Sequence, residues 1–172
     1  MVKEVVSHIS IAYYKVFGTE FIIGSFEDKL CLLDYRYRRN REMIDKRLQK
    51  LSKAEYKLEE NALLSQTRRE LDEYFKGERK TFTLPLIMFG SEFQKSVWNA
   101  LLEIPYSQTV SYLELSRAIK NEKAVRAVAN ANGANAMSIV IPCHRVIGSN
   151  GTLTGYAGGL EIKKSLLELE NI

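Results

Sequence analysis

Residues 91–133, SEFQKSVWNALLEIPYSQTVSYLELSRAIKNEKAVRAVANANG, decide the architecture of the second half of the chain. Phe93, Val97, Leu101 and Leu102 recur at helical spacing behind Ser91, a candidate N-cap. PYSQT reads as a turn. SYLELSRAI then opens with Ser111 and Glu114 in capping-box spacing. NEKAVRAVANANG follows, with Asn121 as a possible cap and Gly133 as a stop. Helix, short turn, helix is the layout of a helix-turn-helix, a pattern that many helical pairs share. The last helix is unusual. Ala124, Ala127, Ala129 and Ala131 leave much of it without bulk, and Arg126 projects from it. Small residues permit close approach to a neighbouring helix or to a narrow DNA groove, where a lone arginine could enter the base stack.

Downstream lies ANAMSIVIPCHRVIG (134–148). Ser138–Ile141 is strand-like and Pro142 stops it, which places Cys143 just past a buried strand end. SNGTLTGYAGG is a glycine-rich loop. LEIKKSLLELE is a closing helix with Leu160, Leu166, Leu167 and Leu169 as its apolar residues. A thiol is nucleophilic only as thiolate, and activation needs a base, a positive charge or helix amides. His144 is adjacent and can serve directly or through a water. Its other nitrogen needs an orienting acceptor. Glu161, Glu168 and Glu170 on the closing helix are candidates, and spacing does not choose among them. An inert buried cysteine is the alternative.

Upstream, HISIAYYKVF, the turn signal GTE and FIIGSFEDKLCLLDYRY read as two or three antiparallel strands. RRNREMIDKRLQKL is a helix with periodic Met43, Ile44, Leu48 and Leu51. ENALLSQTRRELDEYFKGE is another, with Leu63, Leu64, Leu71 and Phe75, and Gly77 as its stop. The cluster DYRYRRNR (Arg36, Arg38, Arg39, Arg41) invites a nucleic-acid reading but fits a solvated strand end better. KTFTLPLIMFGSEF, with Pro85 and Gly90, is an extended linker. It divides the chain into an N-terminal α/β domain (1–86) and a C-terminal domain (87–172).

With 172 residues and 45% hydrophobic content, the chain is long enough for one or two compact domains. A net charge of +4 suits an anionic partner without establishing one. No apolar stretch reaches the roughly 20 residues of a membrane span, and no signal peptide is read at the N-terminus. Two cysteines make no disulfide framework, so a reducing compartment is expected. His8 and Cys31 read as strand residues. Nothing completes a zinc set around them, and no metal is expected.

Taken together, IPCHRVIG, TGYAGG and LLELE, preceded by FQKSVWNALLEIPYSQTVSYLELSRAI and VRAVANANGAN, strongly resemble the O6-alkylguanine-DNA alkyltransferases, or methylated-DNA–protein-cysteine methyltransferases. The resemblance runs from Phe93 to Glu170. It implies a ribonuclease-H-like α/β N-terminal domain and a mainly helical C-terminal domain carrying a DNA-binding helix-turn-helix. It implies repair by direct reversal: one alkyl group passes irreversibly from O6-alkylguanine in DNA to Cys143, once per molecule, with base flipping. O4-alkylthymine is left open as a second substrate. His144 would be general base through a water, oriented by Glu170, and Asn135 would fix the hinge before the active-site strand. Arg126 would intercalate where the base has left, and Tyr112 would crowd the 3′ phosphate. The carbonyls of Cys143 and Val146, with Ser149, Tyr156 and Ala157, would line the guanine pocket.

The resemblance implies no cofactor and no metal. The partner would be double-stranded DNA containing O6-alkylguanine, with no membrane and a monomeric protein. The location would be cytoplasmic, at the nucleoid in a prokaryote, or nuclear in a eukaryote. Two rivals stand beside it. One is an alkyltransferase-like protein that binds alkylated DNA without repair and usually lacks the cysteine. The other is an unrelated thiol hydrolase. The sequence also departs from the family. Ala136 follows Asn135 where proline is frequent, Ser107 stands where glycine is usual, Ala129 and Asn130 replace commoner small residues, and Ala157 replaces a frequent serine.

Overall fold

Two-residue turns set the first sheet. Phe17, Gly18, Glu27 and Asp28 all have positive φ (55°, 70°, 49° and 61°), which matches a turn's twist to that of the strands it joins. In the computed structural model, which describes residues 7–171, they connect β1 (His8–Val16), β2 (Thr19–Phe26) and β3 (Lys29–Tyr35) as an antiparallel meander. The first turn is Phe17-Gly18, so Thr19 and Glu20, expected in the turn, already belong to β2. A fourth strand, β4 (Glu55–Leu58), follows the crossover helix α1 (Arg41–Ser52) and pairs parallel with β1. The order is β3-β2-β1-β4. The sequence reading missed β4, a four-residue, largely exposed edge strand with little apolar signal.

β2 is buried on both faces, which is why its text is apolar without alternation. Phe21 and Ile23 pack with Leu64, Leu71 and Tyr74 of α2 (Ala62–Phe75). Ile22 packs with Ile44 and Leu48 of α1. The stripe read for α1 is narrower than expected: Met43 and Leu51 are 64% and 48% exposed. The arginine cluster is no solvated strand end. Arg38 and Arg41 pair with the fully buried Asp34 at 3.2 and 2.9 Å. Arg36 pairs with Glu20 and lies over the Tyr13 ring. Of this run, Tyr37, Arg39 and Asn40 stand exposed.

The outer edge of β3 is closed by two segments from further along the chain. Leu30 N–H donates to Pro85 O (2.8 Å) and Ile87 N–H to Leu30 O (3.0 Å). Leu33 N–H donates to Ala136 O (2.8 Å) and Ser138 N–H to Leu33 O (2.7 Å). The expected linker and the segment before Cys143 therefore lie against the same strand, which removes an open edge.

In the C-terminal half, Ser91–Gln94 and Ser111–Glu114 both form complete capping boxes, at the starts of α3 (Glu92–Leu102) and α4 (Tyr112–Ala118). α3 buries Val97, Trp98 and Leu101, while Leu102 is 40% exposed. α5 (Val125–Gly133) begins after a 3-10 turn at 122–124, and Asn121 makes no side-chain cap bond there. The alanines do not share one face. Ala131 is in the core, where its carbonyl accepts from Trp98 Nε1 at 2.8 Å. Ala127 is exposed, together with Arg126 and Asn130.

The run 138–141 is not a strand. It is a tight bend with isolated bridges and Ile139 at φ 74°. Its apolarity reflects burial, not pleating. Two short parallel strands, β5 (Val110–Ser111) and β6 (Val146–Ile147), join the helix-turn-helix to the segment after Cys143. The chain closes with α6 (Leu160–Leu169). A single buried cluster runs from Phe21 and Leu30 through Trp98 and Leu101 to Ile141 and Leu166, so the two halves share a core.

Candidate active site

Pro142 ends the bend, and Cys143-His144-Arg145 forms one turn of 3-10 helix leading into β6. Cys143 N–H donates to Ile141 O at 2.8 Å, and Cys143 O accepts from Val146 N–H. Cys143 is 4% exposed. Burial raises its pKa, and a hydrogen bond from the Asn135 side chain acts against that. Burial in β3 pushes Cys31 up to about 12, and its thiol donates to the Gly24 carbonyl, which makes it an inert thiol.

Asn135 is itself buried. Its Nδ2 donates to Ile141 O and its Oδ1 accepts from Met137 N–H, both at 2.9 Å. It thus braces the bend from both sides. Ala136, where a proline was noted as frequent, is held by β3.

His144 is fully buried, and its Nε2 lies 2.7 Å from Glu170 Oε2. Among the three glutamates left open by spacing, Glu161 and Glu168 are exposed. Burial opposes ionisation of Glu170, but hydrogen bonds from His144, Arg145 and Tyr74 hold its carboxyl far below the usual range. An ionised Glu170 fixes the proton on Nε2 and leaves Nδ1 as the basic nitrogen. Nδ1 is buried and has no hydrogen-bond partner among the described residues. Burial also lowers the His144 pKa against the pull of Glu170, so the ring rests neutral.

Around this pair stand residues that the sequence reading passed over. Arg145 bonds Glu170 through Nε (2.8 Å) and Nη2 (3.1 Å), and Ile104 O through Nη1 (2.8 Å). Tyr74 O–H donates to Glu170 Oε2. Ser107, at φ 68°, donates to Glu170 from both its N–H and its hydroxyl. It holds a backbone conformation that suits glycine, and its side chain is used there. Lys163 is fully buried, and its Nζ donates to Val146 O (2.7 Å) and Thr154 O (3.2 Å). Its signal was present: Lys163, Leu166, Leu167 and Glu170 share one helical face.

The remaining expected residues flank the turn. Val146 is buried and its carbonyl is held by Lys163. Tyr156 O–H lies 2.7 Å from Tyr35 O–H of β3. Burial raises both phenols, and both feel the charge of a Cys143 thiolate. Ala157 is half-buried beside Tyr156, and Ser149 is exposed on the loop. Tyr112 opens α4, with its phenol 2.9 Å from Thr154 Oγ1. Arg126 stands apart, exposed in the first turn of α5.

A buried thiol, a neutral imidazole held by an ionised carboxylate, and an exposed arginine on α5 in the same half of the chain fit nucleophilic attack on a DNA-borne group. Comparison with known proteins agrees with this geometry. Residues 92–172 match the DNA-binding domain of 6-O-methylguanine DNA methyltransferase, and residues 13–88 match the ribonuclease-like domain of the same protein. The chain belongs to the 6-O-methylguanine DNA methyltransferase family. A methylated-DNA–protein-cysteine methyltransferase of Methanosarcina acetivorans is 54% identical over 113 residues, 66% of this chain and 72% of the relative. The constitutive enzyme of that name in Bacillus subtilis is 53% identical over 110 residues, 63% of this chain and 67% of the relative. The O6-methylguanine methyltransferase of Mycobacterium tuberculosis superposes with a TM-score of 0.79 at 34% identity, covering 94% of this chain and 92% of that one. Its complex with DNA superposes equally well, at 36% identity, covering 95% and 92%. Among the described residues, no helix of this family member is long and apolar enough to cross a membrane.

Proposed function

We propose that this protein repairs DNA by taking an alkyl group from O6-alkylguanine onto Cys143. The observation that carries the proposal is the His144–Glu170 pair, which leaves a basic Nδ1 on the residue next to the thiol. Nδ1 takes the Cys143 proton, directly or through a water. The thiolate attacks the alkyl carbon, a carbon–sulfur bond forms as the carbon–O6 bond breaks, and guanine leaves as an anion that takes up one proton. In this reading the Tyr112 phenol assists that protonation. The product is a thioether, which water does not cleave readily, so each molecule acts once.

The target base lies inside a duplex and must be extruded to reach Cys143, a residue that is 4% exposed. Arg126 fills the gap left in the stack, and the small exposed face beside it lets α5 approach the minor groove. The carbonyls of Cys143 and Val146, with Ser149, Tyr156 and Ala157, receive the base, while Asn135 holds the bend. The protein acts as a monomer on double-stranded DNA in the cytoplasm, or in the nucleus of a eukaryote, without cofactor or metal. The test is stoichiometry. With excess O6-methylguanine duplex, one methyl group should leave the DNA per protein molecule and then no more. Continued turnover, or tight binding with no methyl loss, contradicts it.

A further inference from the structure

The C-terminal end of α5 is held from the other half of the chain. Arg47 of α1 donates from Nη2 to Ala134 O and from Nε to Phe89 O, both at 2.9 Å. Its guanidinium lies 5.2 Å from the centre of the Trp98 ring. Arg38 spans the same gap, donating from Nη2 to Gly133 O at 2.8 Å and from Nη1 to the buried Asp34. Helix ends leave carbonyls unpaired and carry partial negative charge, so cations there are favourable. What sets this end apart is that two guanidinium groups from the N-terminal half grip successive carbonyls, Gly133 and Ala134, immediately before the hinge residue Asn135.

The next residue is Ala136, which has no ring to fix its φ. Its carbonyl is paired with Leu33 N–H, and no hydrogen bond found among the described residues uses its own N–H. A proline there would lose no donor. The arginines therefore add, from outside, a restraint at a hinge whose next residue has no ring to fix its φ.

We propose that Arg38 and Arg47 are positioning residues for the DNA step: they fix the end of α5, and so set where the Arg126 face stands relative to Cys143. The inference rests on the reading of α5 as the DNA-docking helix. Arg47→Met keeps the aliphatic stem over Trp98 and removes both donors. Alkylation rates are measured with free O6-benzylguanine and, across DNA concentrations, with an O6-methylguanine duplex. Small displacements of a docking element cost rate steeply, so the duplex half-saturation concentration should rise about tenfold while the free-base rate stays within about twofold. Adding Ala136→Pro to Arg47→Met should bring the duplex reaction most of the way back.

Equal losses on both substrates, no loss on either, or no recovery with proline would overturn the proposal. If Arg47→Met fails to fold, Arg47→Lys gives the same comparison: its loss must be confined to the duplex, and a loss shared by the free base counts against the proposal. Wild-type protein that alkylates with the free base but never with duplex would instead remove the DNA reading itself, and this inference with it.

Discussion

At the scale of single residues, Glu170 does more than orient a histidine. It is fully buried and receives hydrogen bonds from His144, Arg145, Tyr74 and Ser107. Glu170→Gln should slow alkylation and also leave Arg145 without its counter-charge. Breaking a buried ion pair from one side costs about 3–5 kcal/mol, so urea unfolding should show a loss of that order. An unchanged midpoint would mean that the carboxylate does not anchor the cluster.

His144 gives a pH prediction. Burial lowers its folded pKa below the ordinary 6.5. Below that value the unfolded chain binds a proton that the native ring refuses, so this residue's contribution to stability falls as pH drops from 7.5 to 5.5. Denaturant midpoints of wild type and His144→Gln should converge at the lower pH. A gap independent of pH would refute a neutral buried ring. Arg145 was illegible because a charge inside an apolar run is read as an exception, and its partners Ile104 and Glu170 lie elsewhere in the chain. The buried face of Lys163 could be read from its helical spacing, but its carbonyl partners on Val146 and Thr154 could not.

At the scale of elements, legibility followed local chemistry. The Ser111–Glu114 capping box and the Ser91 cap were readable because a cap and the residues it serves sit within one turn of each other, while Gln94 as the partner of Ser91 emerged only from the fold. The sequence gives no such cue for β4, or for the bend at 138–141, where tertiary burial makes the text apolar without a period. On α5 the composition was visible but not the rotation, and only the fold separates core Ala131 from exposed Ala127. Arg126→Ala tests what remains exposed. A wedge that offsets a few kcal/mol of unstacking is worth about tenfold or more on duplex DNA and little on a free base. Comparing second-order rate constants on the two substrates decides this, and parallel losses would argue against a finger role.

At the scale of the whole molecule, the two halves are joined by close contact as well as by chain. A Cβ on Gly158 would lie 2.6 Å from the Tyr35 ring, which belongs to β3. Gly158→Ala must therefore push the Tyr156 loop away from the N-terminal sheet. Overpacking of this kind typically costs about 1–3 kcal/mol, and a thermal melt should register it. A melt identical to wild type would mean that the halves separate freely at this contact. Pro85 and Gly90 suggest a division of the chain at 86/87. The sharing of β3's edge by residues 85–87 and 136–138 was not legible, because backbone pairing between distant segments leaves no mark in composition.

The central claim is that Cys143 ends the reaction carrying the alkyl group. Peptide mass analysis after incubation with O6-methylguanine duplex tests it directly. The account predicts one added methyl group on the peptide containing Cys143, none on Cys31, and none anywhere in Cys143→Ser. A methyl group found elsewhere, or DNA bound with every peptide unmodified, would contradict it.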